Sequence, residues 1–231
     1  MATKRSVICL ALVFSHTFGF GEFACGRHNI QKSDSTKVAK DSKDLTANAP
    51  GNIDSHILAL VSSLSSEDET VRVNAERELV SFQTSQEKRK IVIQELLESV
   101  RQQGELDGTH TILTSTVFVY WRSVTQIFAE LKASEAIDAM IKCVHCSNGY
   151  TGTMGEPQAS YALVRMGDIA VPKLSEALLH EPDGYKRVKI VLCLSRIGGP
   201  KTRQALKRAL RFEKEKAVRE HIEFALYGRS A

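Results

Sequence analysis

The sequence is poor in aromatic residues and proline, and it lacks the local motifs of common enzyme classes. Aromatic residues make up 6% of the 231 residues, and there are five prolines. This composition favours one extended helical domain over two globular ones. The chain has no His-Glu-x-x-His motif, nucleophile elbow, phosphate-binding loop or dinucleotide-binding glycines, so no local pattern indicates a metalloprotease, a serine hydrolase or a nucleotide-dependent enzyme. We therefore predict no catalytic residue, no metal and no cofactor.

The C-terminal third contains one short segment three times, at nearly constant spacing. Tyr161–Gly167 is followed by a similar segment at Leu192–Gly198, and a shorter copy ends near Leu226. Leu163 and Leu194 are 31 residues apart, and the next copy of this leucine follows after 32 residues. A fixed period in this range is typical of stacked helical hairpins, each too small to bury its own apolar face.

Each unit follows one pattern. The first helix has an acidic residue, then a basic residue that often follows Val, and then Leu at helical spacing. Gly followed by Asp or Pro comes next, and a second helix rich in Ala and Leu completes the unit. The residues that carry it are Asp68, Val71-Arg72, Ala75 and Leu79; Asp183, Lys186-Arg187 and Leu194; and Glu215, Val218-Arg219 and Leu226. The pattern resembles the HEAT-repeat superfamily, specifically the short repeats of phycobilisome lyases, clearly over residues 156–228 and loosely over 54–148. The resemblance implies an all-α fold over residues 53–229: an α-solenoid of roughly four HEAT-like hairpins plus a terminal helix. It implies function only weakly, since this fold hosts scaffolds, adaptors and a few enzymes.

The N-terminus has the features of a secretory signal peptide, which we place at residues 1–25. Lys4-Arg5 precedes the apolar run Val7–Phe14, and small residues follow it, as in signal peptides. The run is too short to span a bilayer, which needs about 20 residues. An N-terminal core helix is the alternative. We expect export to the bacterial cell envelope or periplasm.

Two processing sites fit this segment. A lipoprotein-type cut would leave Cys25 for acylation and membrane anchoring, although Glu22 occupies a place where that signal normally has Leu. An ordinary cut after Gly21 is the other reading. Residues 26–52 are polar and hold almost no large apolar side chain, so we predict a disordered linker there.

Cys143 and Cys146, separated by Val144-His145, form the one local cluster with redox-like or metal-like spacing. Reactive pairs lie at helix N-termini, where the dipole lowers the thiol pKa, whereas this pair is predicted to end a helix. A structural zinc site usually needs four ligands, and no second pair exists. We predict structural thiols or, after export, a Cys143–Cys146 disulfide, with a functional thiol site as the alternative.

Basic residues gather towards the C-terminus. Residues 54–140 carry 14 acidic and 8 basic side chains, whereas residues 186–231 carry 13 basic and 4 acidic ones. Arg203, Lys207 and Arg211 lie at i, i+4 and i+8, on one face of a predicted helix. The predicted partner-binding residues, here called the basic stripe, are Arg203, Lys207, Arg208, Arg211 and Lys214. The alternative is that these residues form an ordinary solvated surface. Nucleic acid is disfavoured as the anionic partner, because export is predicted and no aromatic residues are interleaved with the basic ones.

Two functions follow as hypotheses. The first is a non-enzymatic exported HEAT-repeat scaffold that binds another protein through its concave face, with the basic stripe for an acidic partner. The second, implied by the resemblance, is an accessory enzyme of the phycobilisome-lyase-like class acting on a protein substrate. A reactive thiol at Cys143 or Cys146 would favour the second.

Overall fold

The computed structural model describes residues 50–149 and 157–228, with side chains from residue 54. These residues belong to one compact unit, Ala47–Ala231, which is all-α. Ten α-helices are described: α1 Pro50–Ser63, α2 Glu69–Ser81, α3 Gln86–Gln102, α4 Ser115–Glu130, α5 Ile137–Lys142, α6 Gln158–Met166, α7 Val171–His180, α8 Gly184–Ile197, α9 Gly199–Phe212 and α10 Lys216–Tyr227. None of these described helices is long and apolar enough to cross a membrane.

The predicted signal peptide and the lipidation candidate Cys25 lie outside the described residues. So does most of the predicted linker, residues 26–52. Helix α1 begins at Pro50, within the last residues assigned to that linker.

Several helices begin where the sequence carries a capping residue. The Asp68 carboxylate accepts from the N–H of Thr70 at 2.7 Å and starts α2. Asp183 accepts from two N–H groups in the same way and starts α8. Pro172 and Pro200 lie in the first turns of α7 and α9, where the N–H that proline lacks would have no helical partner.

Two residues with the local sequence pattern of a helix cap, Thr84 and Asp168, do not cap the helix that follows them. A capping box opening at Thr84 is replaced by a cap one residue later, where the Ser85 hydroxyl accepts from the N–H of Lys88 at 3.4 Å. Asp168 does not cap α7; it lies in a 3₁₀ turn and pairs with Lys201 at 3.1 Å. In both places a short 3₁₀ turn precedes the α-helix and shifts its start.

The helices pack in sequential order as two rows. Helices α2, α4, α6, α8 and α10 contact one another in that order. In the other row α1 contacts α3, α3 contacts the 3₁₀ turn leading into α5, α5 contacts α7, and α7 contacts α9. Each helix of one row also buries apolar side chains against the other row, and the core runs continuously between them.

Helix α4 has more buried residues than any other described helix, and its β-branched and aromatic run is helical. Trp121 is fully buried, and Tyr120 is buried with its hydroxyl donating to the Ser99 hydroxyl at 2.6 Å. The residues before α4 are extended, and Ile112 pairs with Ser147 in an isolated parallel bridge. Packing in the core therefore overrides β-propensity within this segment.

The arginine of the sequence repeat donates to the carbonyl oxygen six residues earlier in three helices, and its second contact is also equivalent in α2 and α8. In the first turn of α2, the Arg72 Nη1 donates to the carbonyl oxygens of residues 66 and 67, at 2.6 and 2.8 Å. In α8, the Arg187 Nη1 donates to residues 181 and 182, at 3.0 and 2.8 Å. In α10, the Arg219 Nη1 donates to residues 210 and 213, at 2.9 and 3.0 Å. In each copy the arginine ties the preceding interhelical connection to the helix that follows it.

Candidate functional site

The basic stripe is presented by α9, whose sequence separates apolar from basic residues around the helix. Leu206 and Ala209 are buried where α9 packs against α7, α8 and α10. Helical geometry then turns Arg203, Lys207 and Arg211 towards solvent, and Arg208 lies exposed beside them. Helix α9 has five basic residues and no acidic one.

Four of the five exposed cations of α9 have no counterion within the described part of the chain. Lys201 pairs with Asp168 at 3.1 Å, but no described residue forms an ion pair with Arg203, Lys207, Arg208 or Arg211. A groove of about 460 Å³ lies among Pro200, Arg203, Gln204, Lys207, Arg208 and Arg211. Its charged donors suit carboxylate groups, which accept charge-assisted hydrogen bonds from arginine in a bidentate geometry.

Lys214 does not join the other members of the basic stripe in this groove. Helix α9 ends at Phe212, so Lys214 lies in the connection to α10. It lines a different groove of about 250 Å³, together with Leu178, Phe212 and other residues from the ends of α7, α8 and α9. Phe212 is 68% exposed, so this second groove also has an aromatic side chain in its lining.

A buried ion pair in the second groove was not predicted from the sequence. The Arg187 Nε and Nη2 donate to the two carboxylate oxygens of Glu213 at 2.8 and 3.1 Å, and Nη2 also donates to Glu215 at 2.9 Å. Side-chain exposure is 12% for Arg187 and 8% for Glu213. Acidic residues flanking a repeat arginine could have indicated this pair, but their pairing depends on how α8 packs against α10.

The environment of the pair shifts the pKa of both groups. The hydrogen bond with Glu213 raises the pKa of Arg187 above its usual value. Burial alone would raise the pKa of Glu213, but hydrogen bonds from Arg187 and from the N–H groups of Glu215 and Lys214 outweigh it and hold that pKa below its usual value. Both groups are therefore held charged by the fold.

The structure brings Cys143 and Cys146 together as buried, free thiols. Helix α5 ends at Lys142, so the pair ends a helix as predicted. The Cys143 Sγ donates to the carbonyl of Leu106 at 3.3 Å, and the Cys146 Sγ donates to that of His110 at 3.2 Å. The predicted disulfide stays a prediction.

The electrostatics of this cluster differ between its members. The neighbouring Cys146 thiol, which can donate to a Cys143 thiolate, lowers the pKa of Cys143, and the same interaction together with burial raises the pKa of Cys146. Burial also lowers the pKa of His145, whose ring packs edge-on against Tyr185 with the ring centres 6.4 Å apart. No group of three or more metal-ligating side chains occurs in the described ranges.

Comparison with known proteins leaves the family of this chain open. No family model matches the chain, and no curated protein matches it either. Function has to be inferred from the helical repeat, the arginine contacts and the charges on α9.

Proposed function

We propose that this protein is a non-enzymatic exported scaffold that binds the acidic face of another protein through α9. The observation that carries the proposal is the set of four exposed cations on α9, none of which has a counterion among the described residues. Exposed basic side chains usually have acidic neighbours on a mixed surface. Here a partner's carboxylates would supply the neutralising charge.

We also propose that residues 53–229 form an α-solenoid of HEAT-like hairpins. Two observations support it: the two rows of sequentially contacting helices, and the repeated arginine contacts in α2, α8 and α10. In solenoids of this type the second helices line the concave side, and α9 holds the second position in its hairpin. The basic stripe would then face the concave side.

Like charges one helical turn apart repel, as with Arg203, Lys207 and Arg211 along α9. A partner's carboxylates would relieve this repulsion while forming new charge-assisted hydrogen bonds. Association should therefore be accelerated by long-range attraction and weakened by salt, because exposed charges are screened over about 10 Å at 0.1 M ionic strength. The binding of an uncharged apolar partner would not show this dependence.

The burial of both thiols favours the binding function over a thiol-dependent accessory enzyme. Cys143 and Cys146 are fully buried and donate to backbone carbonyl oxygens. A nucleophilic thiol has to be reachable by its substrate and needs an environment that stabilises the thiolate. Burial denies both thiols the first of these conditions.

The test is charge reversal on α9 with a matched control. Arg203, Lys207 and Arg211 are changed together to Glu; in the control, the exposed residues Arg77, Lys90 and Lys142 are changed to Glu, which alters the net charge equally. In-cell crosslinking, affinity purification and mass spectrometry then compare both triple variants with the unmodified protein.

We expect one stoichiometric acidic protein to be captured by the unmodified chain and the control, but not by the α9 variant. Circular dichroism should show all three proteins equally folded, because every substituted position is exposed. The purified pair should also dissociate more readily as salt rises. Capture that survives the α9 reversal would make the basic stripe an ordinary solvated surface.

A further inference from the structure

One edge of the Arg72 guanidinium has no partner among the described residues, although Arg72 is only 9% exposed. Its Nη1 donates to two carbonyl oxygens of the α1–α2 connection. Its Nε is buried and has no hydrogen-bond partner, and no bond from Nη2 to a described residue exists. A buried, charged donor without an acceptor is costly, so this edge favours an acceptor that the described residues do not supply.

Arg72 lines a cavity of about 210 Å³ at the start of α4. The other lining residues come from the α1–α2 connection and the first turns of α4: Leu64, Ser65, Ser66, Glu67, Ser115, Thr116 and Val119. The first turn of α4 also lacks a side-chain cap, because the N–H and hydroxyl of Thr114 both donate to Glu105 instead. Its N–H groups add partial positive charge to the Arg72 edge.

The equivalent arginine, Arg187, shows what such an edge binds. Its Nη1 makes the same two contacts as that of Arg72, while Nε and Nη2 hold the Glu213 carboxylate. Glu213 lies two residues before Glu215, which occupies the N-cap position of α10. The residue two before the α4 cap is Ile112, which is 64% exposed. The α2–α4 junction therefore has the arginine fork but no carboxylate at this position.

We infer that this cavity binds one carboxylate group, carried on a short aliphatic chain. The planar fork of Nε and Nη2 matches the two oxygens of a carboxylate, and Leu64 and Val119 supply apolar wall for a few methylene groups. Glu67 also lines the cavity, and its negative charge favours a singly charged carboxylate over a doubly charged phosphate. The source is either a free carboxylic acid or the side chain of an acidic residue.

The first measurement is calorimetric titration of the full chain at constant ionic strength. The probes are propionate, its uncharged isostere propionamide, inorganic phosphate, and glutamate blocked at both ends by acetyl and amide groups. We expect saturable binding of propionate with a Kd on the order of 1–10 mM and no binding of propionamide. Tighter binding of the blocked glutamate assigns the carboxylate to a peptide chain, and tighter binding of propionate assigns it to a free acid.

Other outcomes would overturn the inference. Phosphate binding more tightly than both carboxylates would refute the assignment to a carboxylate. Equal binding of propionate and propionamide would show an apolar cavity without charge recognition, and no saturable signal from any probe would show that the fork is satisfied by water alone. Arg72→Lys should weaken propionate binding by about tenfold or more, because lysine cannot offer two parallel N–H donors.

A second pair of variants leaves Arg72 and its contacts with the connection intact. Thr116 is exposed and lines the cavity, so Thr116→Glu would supply an internal carboxylate, and Thr116→Gln is the uncharged control of equal size. We expect the Glu variant to lose the response to propionate and to melt above the Gln variant. The difference in melting temperature between the Glu and Gln variants should shrink when each is combined with Arg72→Lys. An equal difference with and without Arg72→Lys would mean that the new carboxylate interacts only with the N-terminus of α4, and would refute the site.

Discussion

Replacing Glu213 by Gln should destabilise the domain strongly, although only one oxygen is exchanged for an NH₂ group. The Oε1 of Glu213 accepts from Arg187 Nη2 and from the N–H groups of Lys214 and Glu215, and Oε2 accepts from Arg187 Nε. A glutamine that keeps its oxygen at the Oε1 position places its NH₂ group against the Nε–H donor. The variant therefore loses one charge-assisted bond and the charge that neutralises a guanidinium of 12% exposure.

The expected loss is about 3 kcal/mol in the free energy of unfolding at pH 7. One hydrogen bond to a charged group contributes about 1.5–3 kcal/mol, and removing one member of a buried ion pair costs about 3–5 kcal/mol. The lower part of that range applies, because Glu215 still accepts from Arg187 at 2.9 Å. Urea denaturation should show a lower midpoint with an unchanged slope, as expected when stability changes without a change in exposed surface.

The pH dependence identifies the cause of the loss. The pKa of Glu213 is held below its usual value in the folded protein, so its charge stabilises the fold above the unfolded pKa of about 4.3, and this contribution is lost as pH falls through the folded pKa. The gap between the wild type and Glu213→Gln should therefore be constant above about pH 5.5 and shrink below about pH 4. Lost packing alone would give a gap independent of pH.

The matched control is Glu220→Gln on α10. Glu220 is 43% exposed and pairs with Lys216 at 3.7 Å, a surface pair expected to contribute less than about 0.5 kcal/mol. If Glu213→Gln costs no more than Glu220→Gln at pH 7, the buried pair does not stabilise the junction between α8 and α10, and the reasoning above is wrong.

Two further predictions concern Gly108, in the connection between α3 and α4, and the three buried cysteines. Gly108→Ala should lower the free energy of unfolding by about 1–3 kcal/mol, because Gly108 has φ +89° and an added Cβ would lie 2.8 Å from the Lys142 carbonyl oxygen. The control is Gly104→Ala, where an added Cβ has nothing within 4 Å and should change the free energy of unfolding in urea by less than about 0.5 kcal/mol. Equal effects of the two substitutions would contradict the steric cause. In native protein, Cys143, Cys146 and Cys193 should react with N-ethylmaleimide far more slowly than after unfolding, since all three are buried and burial raises the pKa of Cys193 to about 11. Rapid labelling of Cys143, mapped by mass spectrometry, would restore the thiol-enzyme hypothesis. Peptide mapping of the same sample under non-reducing conditions tests the predicted disulfide between Cys143 and Cys146.

The sequence was sufficient for the helical class because apolar spacing and caps are local. Asp68 and Asp183, the acidic residues of the repeat, both cap their helices through neighbouring N–H groups. The run Val117–Trp121 is helical because its apolar stripe has helical period. The basic stripe could be placed on one face of α9 from the same periodicity. These features depend on residues within a few turns of each other.

Features that depend on the junctions between helices could not be predicted in this way. Asp168 looks like a helix cap, but it instead pairs with Lys201 from the start of α9. Lys214 was predicted as a member of the basic stripe, yet the end of α9 at Phe212 places it in another groove. Which carboxylate meets Arg187 depends on the packing of α8 against α10, and no local pattern encodes that contact.

At two junctions in one row of helices, arginines at equivalent positions of the repeat have different partners. Between α8 and α10, the fork of Arg187 is closed by Glu213 from within the chain, which stabilises the fold. Between α2 and α4, the fork of Arg72 is held in the same way by its connection but faces a cavity. The Arg72 cavity and the basic stripe share no residue, so the two proposed sites can be tested separately.

Charge reversal on α9 should leave the propionate titration unchanged, and Thr116→Glu should leave capture of the acidic partner unchanged. A variant at one site that abolished both would show that the substitution had damaged the fold, and neither site could then be inferred from it.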